Sequence, residues 1–104
     1  MNDLDRVIHE PARLRIAAIL AGVDRADFGF LLSVLGLTKG NLSSHMDRLE
    51  KAGYVEVRKQ FNGKVPHTDY RLTEQGRKAL DDYWTELDRI RNIPPTAGVQ
   101  RDVS

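Results

Sequence analysis

The chain has 104 residues, of which 40% are hydrophobic and 30% are charged, and its formal net charge is +1. This length and composition suit one soluble globular domain, and no run approaches the roughly 20 apolar residues of a membrane span. Cysteine is missing, which excludes disulfides and thiolate metal sites. The N-terminal segment is acidic, so we expect no signal peptide. We therefore expect a cytoplasmic protein with no metal and no other cofactor.

Positive charge is concentrated in the middle of the chain. Between Lys39 and Arg71 there are seven Lys or Arg and four Asp or Glu, an excess of three positive charges. The segments 1–38 and 73–93 each carry a net charge of −1. A local basic patch is the electrostatic footprint of a nucleic-acid-binding protein. An excess of three charges supports this function without deciding it.

A first helix is predicted from Pro11 to Gly22. Proline fits the first helical position, where its missing N–H costs nothing, and glycine favours the helix end. One face of this helix is apolar and predicts a core contact: Ala12, Ile16, Ile19, Leu20 and Val23. Arg13 and Arg15 lie off this face, so we expect both to be solvated. The alternative for these arginines is a contact with phosphate or with a second subunit.

A second helix is predicted from Gly29 to Leu35, with Asp27 as its N-terminal cap. Its core stripe comprises Phe28, Leu31 and Leu35. Phe30 and Val34 form a second apolar pair, which we expect to be covered within a small domain. A subunit contact or a small hydrophobic ligand pocket is the alternative for this pair.

A third helix is predicted over residues 38–52, after a short turn that contains Gly36. The Thr38 hydroxyl can accept from free backbone N–H groups of the first turn, and Gly53 suits the left-handed position that ends a helix. Leu42, Met46 and Leu49 recur at i, i+4 and i+7, which predicts one buried stripe. A helix that buries one stripe and presents a small, polar and cationic face has the chemistry needed to enter a DNA major groove.

The polar side chains of this helix match the chemistry of base edges and phosphates. Arg48 can donate to two guanine acceptors, and Asn41 can pair with adenine. His45 borders the buried stripe, so we expect a structural role rather than metal binding. The remaining polar residues suit bases, phosphates or close backbone approach: Thr38, Lys39, Gly40, Ser43 and Ser44.

After Gly53 the hydrophobic period changes from 3.6 to 2, which predicts two strands. Val55 and Val57 face inward on the first strand, and Tyr70 and Leu72 do so on the second. Asn62-Gly63 between the strands is a strong hairpin signal. The predicted product is a two-stranded hairpin with a basic tip.

Residues 58–71 of this hairpin are predicted to contact flanking DNA. Backbone contacts of this kind position a protein without reading sequence. Arg71 has an alternative, which is an ion pair with Asp69 or Glu56 on the hairpin. The predicted DNA-contacting cations are Arg58, Lys59, Lys64 and Arg71.

A last helix is predicted over about 73–93, capped by Thr73 and ended before Pro94, with Gly76 as a tolerated weakness. Its apolar residues recur at heptad-like spacing and exceed what a small core needs, so we expect pairing with a second copy. The predicted dimer interface comprises Leu4, Ile8, Leu80, Tyr83, Trp84, Leu87 and Ile90. Residues 1–93 thus form one domain, and 94–104 are expected to be a disordered tail.

At these residues the chain resembles the winged-helix transcriptional regulators of the MarR and ArsR type, particularly the short single-domain ones. The run Leu37–Tyr54 is the most specific match, and the stretches Ile8–Ile16 and Tyr70–Arg77 support it. The resemblance implies a homodimer on a pseudo-palindromic DNA operator, with the third helix in the major groove and the hairpin on flanking DNA. The cysteine or clustered histidine ligands of ArsR-type metal sensors are missing.

Together these features predict an α+β, mainly helical fold, namely a winged helix-turn-helix with a three-helix core, a two-stranded β-hairpin wing and a long C-terminal helix. The predicted function is a sequence-specific DNA-binding transcription regulator, not an enzyme. One alternative is a winged-helix module for protein–protein interaction. Another is a sensor with a pocket for a small apolar effector at the dimer interface, around Phe30, Val34 and Trp84.

Overall fold

The computed structural model describes residues 4–93, so the predicted disordered tail 94–104 lies outside the described residues. The elements are α1 (Pro11–Ala21), β1 (Ala26–Asp27), α2 (Phe28–Leu35), α3 (Lys39–Lys51), β2 (Val55–Asn62), β3 (Val65–Leu72) and α4 (Glu74–Arg91). The strands form one antiparallel sheet in the order β1-β3-β2. The predicted fold is confirmed, and β1 adds a third strand. No helix within residues 4–93 is long and apolar enough to span a membrane.

The helix starts are fixed by side chains that the sequence places at the cap positions. Asp27, Thr38 and Thr73 accept hydrogen bonds from the backbone N–H groups of residues 30, 41 and 76, at 2.7, 3.1 and 3.0 Å. These three caps were predicted. Glu10 caps α1 in the same way, through its carboxylate and the N–H groups of residues 12 and 13. Each cap satisfies backbone donors that a helix start leaves free.

The hairpin has the predicted inward faces. Val55, Tyr70 and Leu72 are buried and Val57 is half-buried, and strand pairing runs without interruption to Asn62 opposite Val65. The two residues between them form the tip, where Gly63 has a φ of 63°. Positive φ is cheap for glycine, so the tight turn can form at this position.

The core joins the N-terminal segment, the helices and the inner face of the hairpin. Its largest fully buried side chains come from the N-terminal segment, α1, α2 and the stripe of α3: Ile8, Ile16, Leu20, Leu31, Leu42 and Leu49. Val23, which was predicted on the core face of α1, is exposed because the helix ends at the Gly22 cap before reaching it. Phe30 and Val34 are exposed as well, so the expectation that the domain covers them is wrong.

Three residues of the predicted dimer interface lie inside the subunit's own core. Ile8, Leu80 and Tyr83 are buried, and the Tyr83 hydroxyl is 2.8 Å from Nδ1 of His9. Almost none of their surface remains for a second copy, so their assignment to the interface is corrected to the core. Of the other predicted residues, Leu4 and Leu87 are partly buried, whereas Trp84 and Ile90 are exposed.

Arg13 is buried, contrary to the expectation that it is solvated, whereas Arg15 is exposed as expected. The Arg13 Nε donates to the Val7 carbonyl oxygen at 2.6 Å, and Nη1 lies 3.2 Å from Nδ1 of His45 on α3. The guanidinium therefore links the N-terminal segment, α1 and α3. The structural role expected for His45 agrees with this contact.

Gly76 is a steric requirement rather than the tolerated weakness that helix propensity predicts. A Cβ atom at this position would lie 2.2 Å from the Tyr54 carbonyl oxygen and 2.8 Å from a Leu72 methyl group. The same carbonyl oxygen accepts from the Thr73 N–H at 2.9 Å, and the Thr73 hydroxyl donates to the Gly53 carbonyl at 2.6 Å. The start of α4 is thus held tightly against the chain that leaves α3.

We predict that Gly76→Ala lowers the free energy of unfolding by about 1–3 kcal/mol or more, because the new methyl group overlaps a backbone atom that cannot move aside. Gly40→Ala is the matched control, since a Cβ there meets nothing within 4 Å and alanine is favoured in helices by up to ~1 kcal/mol. Urea unfolding of both variants measures the difference. A Gly76→Ala variant at least as stable as wild type would contradict the close contact between Gly76 and the Tyr54 carbonyl.

Candidate nucleic-acid interface

The polar face of α3 consists of Thr38, Lys39, Gly40, Asn41, Ser43, Ser44 and Arg48. All seven residues are exposed, while the stripe on the opposite side of the helix is buried. The structure therefore brings the predicted base- and phosphate-contacting residues of the helix onto one accessible surface. Asp47 and Glu50 are also exposed on α3, so its positive charge is concentrated at Lys39, Arg48 and Lys51.

The start of α3 has the features of an anion-binding helix terminus. Thr38 accepts from the Asn41 N–H, and the Thr38 carbonyl accepts from the Leu42 N–H. Within residues 4–93, the backbone N–H groups of Lys39 and Gly40 donate no hydrogen bond. Free N–H groups and the helix dipole both favour a phosphate there. The missing side chain of Gly40 leaves this backbone open, since no protein atom fills the space.

Asp69 forms the centre of an ion-pair cluster on the outer face of the hairpin. Its residue surface is only 4% exposed, and one carboxylate oxygen accepts from Nη2 of Arg58 at 2.9 Å while the other accepts from Nη1 of Arg25 at 3.0 Å. His67 lies 3.4 Å from the same carboxylate. The hydrogen bond from Arg58, followed by that from Arg25, holds the pKa of Asp69 below its ordinary value against the opposing effect of burial.

A second carboxylate binds the other arginine of the hairpin. Glu56 accepts from Nη2 of Arg71 at 2.8 Å and from Nη2 of Arg25 at 3.1 Å. The hydrogen bond from Arg71, followed by that from Arg25, lowers the pKa of Glu56. Arg25 therefore bridges both carboxylates and ties the connection before β1 to the hairpin.

The two clusters divide the predicted hairpin cations into two groups. Arg58 and Arg71 pair with carboxylates of their own chain while their side chains stay 46% and 42% exposed, so both have a structural role and their DNA contacts stay a prediction. The alternative of an ion pair between Arg71 and Glu56 is confirmed. Lys59 and Lys64 are exposed, and neither forms an ion pair in the part of the chain that the structure describes. The available positive charge of the hairpin thus lies at these two lysines.

Comparison with known proteins identifies this arrangement. The family model described as a winged helix DNA-binding domain matches residues 12–91, from α1 to the end of α4. The chain belongs to the winged-helix DNA-binding domain family. The hairpin is therefore the wing of this family, and the predicted resemblance to winged-helix transcriptional regulators is confirmed.

Three relatives illustrate the similarity. An uncharacterised protein of Methanocaldococcus jannaschii is 35% identical over 83 residues, which cover 79% of this chain and 89% of the relative. The structure of a transcriptional regulator homologue from Pyrococcus horikoshii is 30% identical, with a TM-score of 0.79 and coverage of 85% of this chain and 87% of that one. A transcriptional regulator of the MarR family from Enterococcus faecalis is 28% identical, with a TM-score of 0.66 and coverage of 82% and 76%.

A cavity of about 630 Å³ lies beside α4 of the winged-helix domain, where the N-terminal segment and Tyr54 form its other wall. Tyr54 donates to Asp5 there, and burial followed by this hydrogen bond raises the pKa of Tyr54 to about 12. Phe30, Val34 and Trp84 do not line this cavity. The pocket predicted around those three residues belongs to a dimer interface and stays a prediction. Among residues 4–93, no group of three or more His, Asp or Glu is placed to hold a metal ion.

We predict that Asp69→Asn lowers the stability of the winged-helix domain at pH 7 by roughly 1–3 kcal/mol, because charged hydrogen bonds to two arginines are lost. Since the folded-state pKa is lowered, the wild-type advantage is complete above the ordinary carboxyl pKa of about 3.9. It disappears as the pH falls through the lower folded-state value. Urea unfolding between pH 7 and about pH 2 measures the change.

Asp82→Asn is the control for this experiment. Asp82 pairs with Lys78 at 3.0 Å, but both side chains are largely exposed, so its loss is expected to cost less than ~1 kcal/mol. An equal loss of stability in the two variants would contradict the role of Asp69 as the centre of the ion-pair cluster.

Proposed function

We propose that this protein is a sequence-specific transcription regulator that binds a pseudo-palindromic DNA operator as a homodimer. In this proposal α3 lies in the major groove and the wing contacts flanking DNA. One observation carries the proposal: α3 buries its apolar stripe and presents every residue of its polar face to solvent. The family match to a DNA-binding domain supports the same conclusion.

Base readout is assigned to Arg48 and Asn41 on the polar face of α3. Both side chains are exposed, and neither side chain has a recorded hydrogen bond or ion pair among the described residues. Arg48 can form two hydrogen bonds with guanine O6 and N7, and Asn41 can pair with N6 and N7 of adenine. Their availability distinguishes them from Arg58 and Arg71, which are occupied by carboxylates.

Phosphate binding is assigned to the start of α3 and to the free lysines of the wing. Lys39 stands beside the free N–H groups of the first turn, which suit a phosphate. Lys59 and Lys64 extend the positive surface along the wing. Such contacts set affinity and orientation, and their number determines the salt dependence of binding.

The second copy is proposed to bind along α4. Trp84, Ile90 and Ile93 are exposed on this helix and its end, with Leu87 partly buried among them. The Trp84 ring packs edge-on against the buried Tyr83 at a centroid distance of 5.6 Å, so its position is set by the core. A two-fold dimer would double the modest positive surface of one copy. It would place two recognition helices on half-sites roughly 34–36 Å apart.

Selection of bound duplexes from a random DNA pool tests the proposed function. The expected product is a two-fold repeat of one half-site, with half-sites about one helical turn apart. A pool without enrichment would overturn the proposal and favour the alternative of a protein–protein interaction module. Enrichment of a single half-site would leave DNA binding in place and overturn the dimer.

We predict that Arg48→Ala weakens binding to the selected operator by ~1–3 kcal/mol and relaxes the preference at one base position, because a bidentate contact is lost. Fluorescence anisotropy with the operator and with single-base variants measures both effects. Lys78→Ala is the control, since this exposed lysine lies on α4 and pairs with Asp82. Unchanged base preference in Arg48→Ala would remove Arg48 from the reading surface.

We predict that Trp84→Asp produces a monomer, because a carboxylate would be desolvated in the proposed interface. Analytical ultracentrifugation across a concentration series measures the mass. Val23→Asp is the control, since Val23 is 41% exposed and Trp84 is 42% exposed, while Val23 lies after α1 rather than on α4. A dimer that persists in Trp84→Asp would contradict the proposed interface along α4.

A further inference from the structure

The tip of the wing carries a phenylalanine that its own chain leaves uncovered. Phe61 is 72% exposed, which is the highest value among the large hydrophobic residues of the described chain. Val65, across the turn, is 65% exposed. A single exposed apolar residue is common on protein surfaces. The placement of Phe61 and the charges around it are what point to a ligand.

Strand geometry projects Phe61 beyond the core on the inner side of the wing. Side chains alternate along a strand, so Phe61 shares a face with Val57 and Lys59, and Val57 packs against the core. A strand rises about 3.3 Å per residue, which places Phe61 roughly 13 Å past Val57. Pro66 stands opposite Phe61 in the register. The ring therefore lies near the tip of the wing, beyond the part of β2 that packs against the core.

The charges around the tip favour a polyanion as the partner. Lys59 shares the face of Phe61, and Lys64 lies in the turn itself. Neither lysine has an ion-pair partner among residues 4–93. The arginines of the wing pair with Asp69 and Glu56 on the face opposite to Phe61, so neither stands beside the ring. The tip therefore presents an aromatic ring with the ammonium groups of Lys59 and Lys64 nearby.

We propose that Phe61 is an apolar wedge that enters the minor groove beside the major-groove site of α3 and partly unstacks one base step. Apolar side chains inserted between base steps kink a duplex, and pyrimidine–purine steps unstack most easily. The wing would then read the deformability of flanking DNA rather than its hydrogen-bonding edges. This inference rests on the proposed DNA-binding function.

The test uses the selected operator with 2-aminopurine placed in each flanking step in turn, together with a donor–acceptor pair at the duplex ends. We expect wild-type binding to increase 2-aminopurine fluorescence at one step and to shorten the end-to-end distance. Phe61→Ala is expected to lose both signals and to bind about tenfold more weakly, or ~1.4 kcal/mol. Replacing the flanking pyrimidine–purine step with a stiff A-tract should weaken wild-type binding but leave Phe61→Ala unaffected.

Three comparisons separate the wedge from other roles of the tip. Phe61→Trp should retain the bend, because a large ring can still insert. Lys64→Ala should keep the bend and lower the slope of log affinity against log salt by ~0.9. Val23→Ala should behave like wild type, since it removes an exposed apolar side chain outside the wing. Thermal unfolding of each variant verifies that the fold is intact.

The possible failures are distinguishable. Absence of any DNA binding by the wild-type protein would overturn both the proposed function and this inference. Specific binding with identical bending and fluorescence in wild type and Phe61→Ala would overturn the wedge alone. Weaker binding of Phe61→Ala without a change in either signal would also overturn it, because Phe61 would then contact the DNA without unstacking a step.

Discussion

The burial of the Asp69 carboxylate is the constraint on which the rest of the wing depends. A buried carboxylate requires cationic or hydrogen-bonding partners, and Asp69 obtains them from Arg58 on the same hairpin and Arg25 before β1. Glu56, an exposed carboxylate on the same hairpin, accepts a hydrogen bond from Arg71. Arg25 thereby fixes the wing to the rest of the domain, and both arginines of the wing are paired within their own chain. In the proposed DNA complex, the other groups that the wing offers are two lysines and an aromatic ring.

The third helix is positioned by its own set of contacts. Its buried stripe anchors one side, and the link from Arg13 to His45 ties the helix to α1 and to the Val7 carbonyl. Apart from Thr38, whose hydroxyl caps the helix, the solvent-facing side chains of the polar face make no hydrogen bond or ion pair within residues 4–93. If α3 reads bases as proposed, this separation would let the polar face change its base preference while the core stays unchanged.

Much of the fold could be predicted because its signals are local. Capping residues such as Thr38 and Thr73, the stripe of α3 and the Asn62-Gly63 turn each lie within a few residues of what they determine. β1 could not be predicted, because two residues are too few to show alternation. The burial of Arg13, the pairs that Arg25 and Arg58 form with Asp69, and the requirement for Gly76 depend on partners distant in sequence, such as His45, Asp69 and Tyr54. At the candidate site, residue type and helical spacing were enough to predict the polar face of α3. Which cations of the wing form ion pairs could be seen only from the strand register.

The contact between Gly76 and the Tyr54 carbonyl makes the start of α4 and the end of α3 one rigid joint. Because no free space separates Gly76 from Tyr54, a change in the angle of α4 would displace the chain that leaves α3. In the proposed dimer α4 would join the two subunits. A small change in the angle at which the two α4 helices cross would alter the separation of the two α3 helices. The pitch of DNA tolerates little error in that separation. The absence of one methyl group would thus help to decide whether both half-sites can be read at once.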